Sequence, residues 1–86
     1  MSDGLADAVY ALAELAAGRT PERSRLLAGA LALDSLVQHG KPDRDLLDAA
    51  AGLNAFATGE RPELDDRGRA RAGHLATVVQ RRALGI

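Results

Sequence analysis

Eighty-six residues, a formal net charge of −1 and no cysteine define one small domain that lacks both a disulfide framework and a thiolate metal site. A chain this short buries only about 60–65% of the surface its unfolded form exposes, so its core is thin and its stability rests on well-packed helices or on association. The charge gives no global attraction to nucleic acid or membrane, and two aromatics, Tyr10 and Phe56, are too few for a base-stacking platform.

The composition is helix-forming. The chain holds 18 Ala and 14 Leu against 4 Val and 1 Ile, and strands favour β-branched and aromatic residues. Ten of the eleven basic residues are Arg, which with the Ala and Gly excess fits bacterial, GC-rich coding better than selection for anion recognition. No apolar run approaches the roughly 18 residues of a membrane span. Met1-Ser2-Asp3-Gly4 lacks the basic region of a signal peptide. The expected location is cytoplasmic, with no membrane partner.

Gly and Pro divide the chain into four predicted helices, at about 3–17, 21–39, 43–58 and 62–84, in a single domain over 1–86. Ser2 can cap the first. Its stripe is Leu5, Val9, Leu12 and Leu15, and Gly18 stops it. Thr20-Pro21-Glu22 restarts the chain, with Thr20 as N-cap and Pro21 at the first helical position. The second stripe is Leu26, Ala30, Leu33 and Val37, widened by Leu27, Leu31 and Leu36, and Gly40 ends the helix.

Lys41-Pro42-Asp43 opens the third helix. Asp43, Asp45 and Asp48 load its first turns with the charge that complements the dipole. Leu46, Ala50, Leu53 and Ala57 form its stripe, with Leu47 and Phe56 beside it, and Gly59 closes it. Pro62-Glu63 opens the fourth, on which Leu64, Gly68, Ala72, Leu75 and Val79 share a face. Gly68 and Gly73 each cost about 1 kcal/mol against Ala, so this helix is the weakest and can kink or begin late, near Asp65.

The halves echo each other. Leu15-Ala16-Ala17-Gly18-Arg19-Thr20-Pro21-Glu22 aligns with Phe56-Ala57-Thr58-Gly59-Glu60-Arg61-Pro62-Glu63, 41 positions later. Duplication of a helical hairpin and coincidence of generic punctuation both explain this. Two hairpins are too few for a solenoid. The expected fold is all-α, a four-helix bundle, with the two hairpins as candidates for a pseudo-twofold pair.

Charge is segregated along the chain. Residues 1–18 carry −3, 19–40 carry +1, 41–66 carry −4 and 67–86 carry +5. Arg67, Arg71 and Arg82 are the candidate anion or nucleic-acid contacts. The competing account is a solvated face that pairs in part with acidic helices 1 and 3, with Arg81 and Arg82 complementing a helix C-terminus. A helix-turn-helix built from helices 2 and 3 would turn Asp43, Asp45 and Asp48 towards phosphates, which excludes that geometry.

No catalytic set assembles by any sequence rule. His39 can cap the end of helix 2, and His74 is a candidate interfacial histidine. His-x3-His, Glu-x-x-His and Cys-x-x-Cys pairs are absent. No cofactor or metal site and no enzyme activity is expected. Asp34 and Asn54 interrupt apolar stretches, either facing solvent or acting as polar specificity groups.

The wide apolar faces of helices 2 and 3 point to a partner surface. The expectation is a non-catalytic protein–protein interaction module, self-associating as a homodimer or docking on another protein. Leu27, Leu31, Val37, Leu47, Phe56 and Val78 are the buried-surface candidates, divided between core and interface. The alternative is a nucleic-acid-associated regulator using helix 4. A third class is an enzyme or a carrier of a small apolar ligand, with Asp34, Asn54 or His74 converging on a pocket.

Overall fold

A computed structural model describes residues 3–40, 44–59 and 65–84. Four α-helices follow in order: α1, Asp3–Ala16; α2, Arg23–His39; α3, Arg44–Ala57; and α4, Asp66–Leu84. They pack as an all-α four-helix bundle. Short connections make successive helices antiparallel neighbours. The longest extent of 30 Å matches one nineteen-residue α4 at about 1.5 Å per residue.

The helix ends follow local chemistry. Gly18 (φ 81°) and Gly59 (φ 85°) adopt the left-handed conformation, where a Cβ would be strained. At Gly18 the turn is a full Schellman motif. Arg19 N–H donates to Glu14 O at 2.8 Å and Gly18 N–H to Leu15 O at 3.1 Å. Gly40 N–H donates to Leu36 O at 2.9 Å. The imidazole of His39, expected to cap this end, is exposed.

One start differs from expectation, and another falls at the later of its two expected places. α2 begins at Arg23, after an extended N-cap Glu22 without a side-chain cap bond. Thr20 and Pro21 therefore precede the helix. Pro21 is buried, so its ring packs at the closed end of the α1–α2 hairpin and does not start the helix. α4 begins at Asp66, the late start expected near Asp65, because Asp65 caps it: Asp65 Oδ1 accepts Gly68 N–H at 2.8 Å and Asp65 O accepts Arg69 N–H at 3.0 Å. The expected roles of Ser2, of Lys41-Pro42-Asp43, and of Pro62-Glu63 with Leu64 lie outside the described residues. α4 continues as one helix through Gly68 and Gly73.

The core is alanine and leucine in nearly equal parts. Leu33, Leu46, Leu53 and Val79 are its largest fully enclosed side chains. On α1 the buried stripe is Ala8, Ala11, Leu12 and Leu15, while Leu5 and Val9 pack only partly against it. The stripe is thus centred on alanines and not on the leucine edge, because α2 comes very close there. A Cβ built on Gly29 would lie 2.8 Å from Ala8 Cα. No buried side-chain nitrogen or oxygen lacks a partner among the described residues.

α1 packs extensively on both α2 and α4, and α2 on α3; the α3–α4 seam is much thinner, and α2 and α4 do not meet. The echo of the two halves is therefore partial. α1 and α3 are both 14 residues long and both stop at a left-handed glycine. In each hairpin one arginine of the second helix spans two acids of the first. Arg25 lies 2.9 Å from Glu14 and 3.6 Å from Asp7, and Arg71 lies 2.8 Å from Asp45 and 2.7 Å from Asp48. The hairpins differ in how closely their helices approach.

A second correspondence joins α2 to α3. Leu26, Leu27, Ala30, Leu33 and Asp34 are matched twenty positions later by Leu46, Leu47, Ala50, Leu53 and Asn54. Leu26, Ala30 and Leu33 are buried, and so are their counterparts. The central antiparallel pair thus carries one register twice.

Candidate functional site

On the outer side of the α2–α3 pair, apolar side chains remain uncovered. Leu27 and Leu31 are one helical turn apart and are 44% and 70% exposed; Leu47 of α3 is 48% exposed. Asp34 follows Leu31 by three residues, and Asn54 follows Leu47 by seven, so each shares a helix face with those leucines. Asn54 Nδ2 donates to Asp34 Oδ1 at 3.3 Å and to Ala50 O at 2.9 Å. This bond joins the two faces into one surface, with leucines around a half-buried polar pair. Asp34 and Asn54 are thus neither solvated between stripes nor enclosed in the core. They hold equivalent positions in the α2 and α3 registers, as residues beside a local twofold would.

The other buried-surface candidates fall elsewhere. Val37 and Phe56 pack half-buried against the core. Val78 is half-buried on α4. The six candidates therefore divide into three exposed leucines, two side chains that flank the core, and the half-buried Val78.

The basic helix divides similarly. Arg71 is held by hydrogen bonds to Asp48 and Asp45, which raise its pKa above the ordinary arginine value. Arg69 is 3.8 Å from Asp66, and His74 Nε2 is 3.6 Å from Asp45 Oδ2. Arg67, Arg81 and Arg82 are exposed. A phosphate approaching Arg71 would have to displace two carboxylates. Arg25 is likewise held by Glu14 first and then Asp7, with its pKa raised, and its guanidinium carbon sits 5.2 Å from the Tyr10 ring centroid.

Hollows on the bundle include two that described residues bound. One lies between α1 and the end of α4, bounded by Leu5, Val9, Tyr10 and Leu84. Tyr10 and Leu84 are themselves exposed, so surface side chains form much of its lining. The other, of about 300 Å³, lies in the thin α3–α4 seam over Leu12, Leu15, Ala72 and Leu75. Those four are buried, so this cleft reaches the core. Neither is lined by Asp34, Asn54 or His74. Among the described residues no three metal-ligating side chains cluster, and no helix is long and apolar enough to cross a membrane.

The fold and this outer face define the class, an all-α four-helix bundle with an uncovered leucine surface. The chain matches no protein-family model, no curated protein and no solved structure. The Arg71 clamp is an instance of the expected pairing of helix 4 with acidic helix 3; the Arg25 clamp and the Asp34–Asn54 bond were not expected from sequence. The twenty-residue register of α2 in α3 is the signal that leads to the last of these.

Proposed function

We propose that the protein is a non-catalytic interaction module, cytoplasmic and bacterial, that self-associates through the outer face of α2 and α3. The observation that supports this is the exposure of Leu27, Leu31 and Leu47 on one surface around the Asp34–Asn54 bond. Exposed leucines keep apolar area in water at roughly 25 cal/mol per Å², and a second copy removes it. A half-buried polar pair among them favours one register over slipped alternatives. Isologous contact also suits a surface in which α2 and α3 carry the same pattern.

The test is molar mass by light scattering at low and high salt. A dimer that persists in high salt and falls to monomer in Leu31→Ser is the expected result. A wild-type monomer at every concentration refutes the proposal. So does a dimer unchanged by Leu27→Ser, Leu31→Ser and Leu47→Ser.

A further inference from the structure

We infer that the cleft in the α3–α4 seam binds a compact, uncharged apolar molecule. The inference is independent of the self-association proposed above, because the cleft lies on the opposite flank of α3.

Its floor is core. Leu12 and Leu15 of α1 and Leu75 of α4 are buried, and Phe56 of α3 borders them half-buried. No polar atom of the floor needs a partner among the described residues. A cavity of about 150 Å³ with such a lining holds a single aromatic ring. At about 300 Å³ this cleft has room for two fused rings.

Its walls are kept open by a glycine that packing does not require. Gly29 is needed, since a Cβ there would strike the backbone of Ala8. Gly52 lines the cleft, and a Cβ on it would meet nothing within 4 Å. A glycine in a helix interior costs about 1 kcal/mol against Ala. At Gly52 that cost brings no close approach of helices. What it leaves is space in a cleft that Gly68 of α4 also lines.

The rim sets the ligand's charge. Arg71 and Asp48 both border the cleft, but each already holds the other at 2.7 Å, and Asp45 holds Arg71 at 2.8 Å. Among the described residues that line the cleft no cation is left for an anionic head group, and the extra carboxylate, Asp45, repels one. An uncharged molecule meets an apolar floor and a rim whose one cation is already held by carboxylates of the protein.

The experiment titrates the full chain with prodan, an uncharged naphthalene dye, and reads the blue shift of its emission. Saturable binding of one dye per chain is expected. It is lost in Gly52→Leu, whose side chain fills the cleft, with helicity checked by circular dichroism. It is retained in Tyr10→Ser, which alters the α1–α4 groove. Should Gly52→Leu fail to fold, Gly52→Ala serves, together with dye-induced amide shifts at Gly52, Gly68 and Leu75. No saturable binding overturns the inference. So does binding that survives folded Gly52→Leu, that disappears in Tyr10→Ser, or that is tighter for the anionic anilinonaphthalene sulfonate than for prodan.

Discussion

Gly29→Ala gives the sharpest test of the packing. Intrinsic preference alone favours the substitution, because Ala is better than Gly in a helix interior by about 0.5–1 kcal/mol. The tertiary structure opposes it. The added methyl would sit 2.8 Å from Ala8 Cα, 2.9 Å from Ala8 N and 3.2 Å from Ala8 Cβ. Carbon atoms rest at about 3.5–4.0 Å, so α1 and α2 must part by roughly 1 Å. A gap of that size forfeits about a quarter to a half of the dispersion attraction along the seam. Overpacking of this kind costs about 1–3 kcal/mol. At the middle of each range, a cost of about 2 kcal/mol less a gain of about 0.75 kcal/mol leaves the variant about 1 kcal/mol less stable. In a domain this size that lowers Tm by about 4–8 °C.

The assay is thermal and urea unfolding followed by far-ultraviolet circular dichroism, at one protein concentration, because association would shift both. Ala8→Gly should not rescue the variant, since the two nearest atoms belong to the Ala8 backbone. Gly52→Ala is the control, with an expected gain of about 0.5–1 kcal/mol. A Gly29→Ala protein as stable as the parent would refute the close α1–α2 approach.

Other outcomes follow from the same contacts. Leu53→Ala and Leu33→Ala, at fully buried sites, should each lose about 2–5 kcal/mol in urea unfolding. Phe56→Ala should lose less, about 1–2 kcal/mol, because the ring is only partly buried; a loss as large as at Leu53 would place it in the core proper. Arg71→Gln should make the melting temperature less sensitive to salt, as the exposed ion pairs across α3 and α4 disappear; an unchanged salt response would mean that the clamp contributes nothing. Both Arg25 and Arg71 have raised pKa values. A raised value stabilises the fold below the unfolded pKa and is lost only as pH climbs through the folded one. Unfolding titrations should therefore show no loss from these arginines between neutral and moderately alkaline pH.

Much of the architecture was legible in the chain. Ala and Leu excess with Gly stops gave four helices, because helix propensity and left-handed C-caps are local properties. Gly18 and Gly59 ended α1 and α3 as expected, and the leucine stripes of α2 and α3 faced the core. The starts of α2 and α4 were less legible. Pro21 precedes a helix as well as it opens one, and only the buried position of its ring separates the two. Asp65 competes with Pro62 as a start, and its cap bond decides the matter.

The candidate surface was half legible. Leu27, Leu31 and Leu47 were marked as apolar surplus beside the stripes, and hydrophobic spacing carries that information. Periodicity could not separate them from Val37 and Phe56, because burial depends on which flank a neighbouring helix covers. Likewise Arg71 was visible as a charge, but its pairing with Asp45 and Asp48 requires residues 23 and 26 positions apart to meet. By itself the sequence determined helix content, the glycine stops and the central apolar stripes, all of which arise within a few turns of chain. Tertiary structure alone decided that α2 presses on Ala8 at Gly29, that Asp34 meets Asn54, and that α3 and α4 stay apart over a cleft. Those are distances between helices, and they depend on the whole set of side chains packed between them.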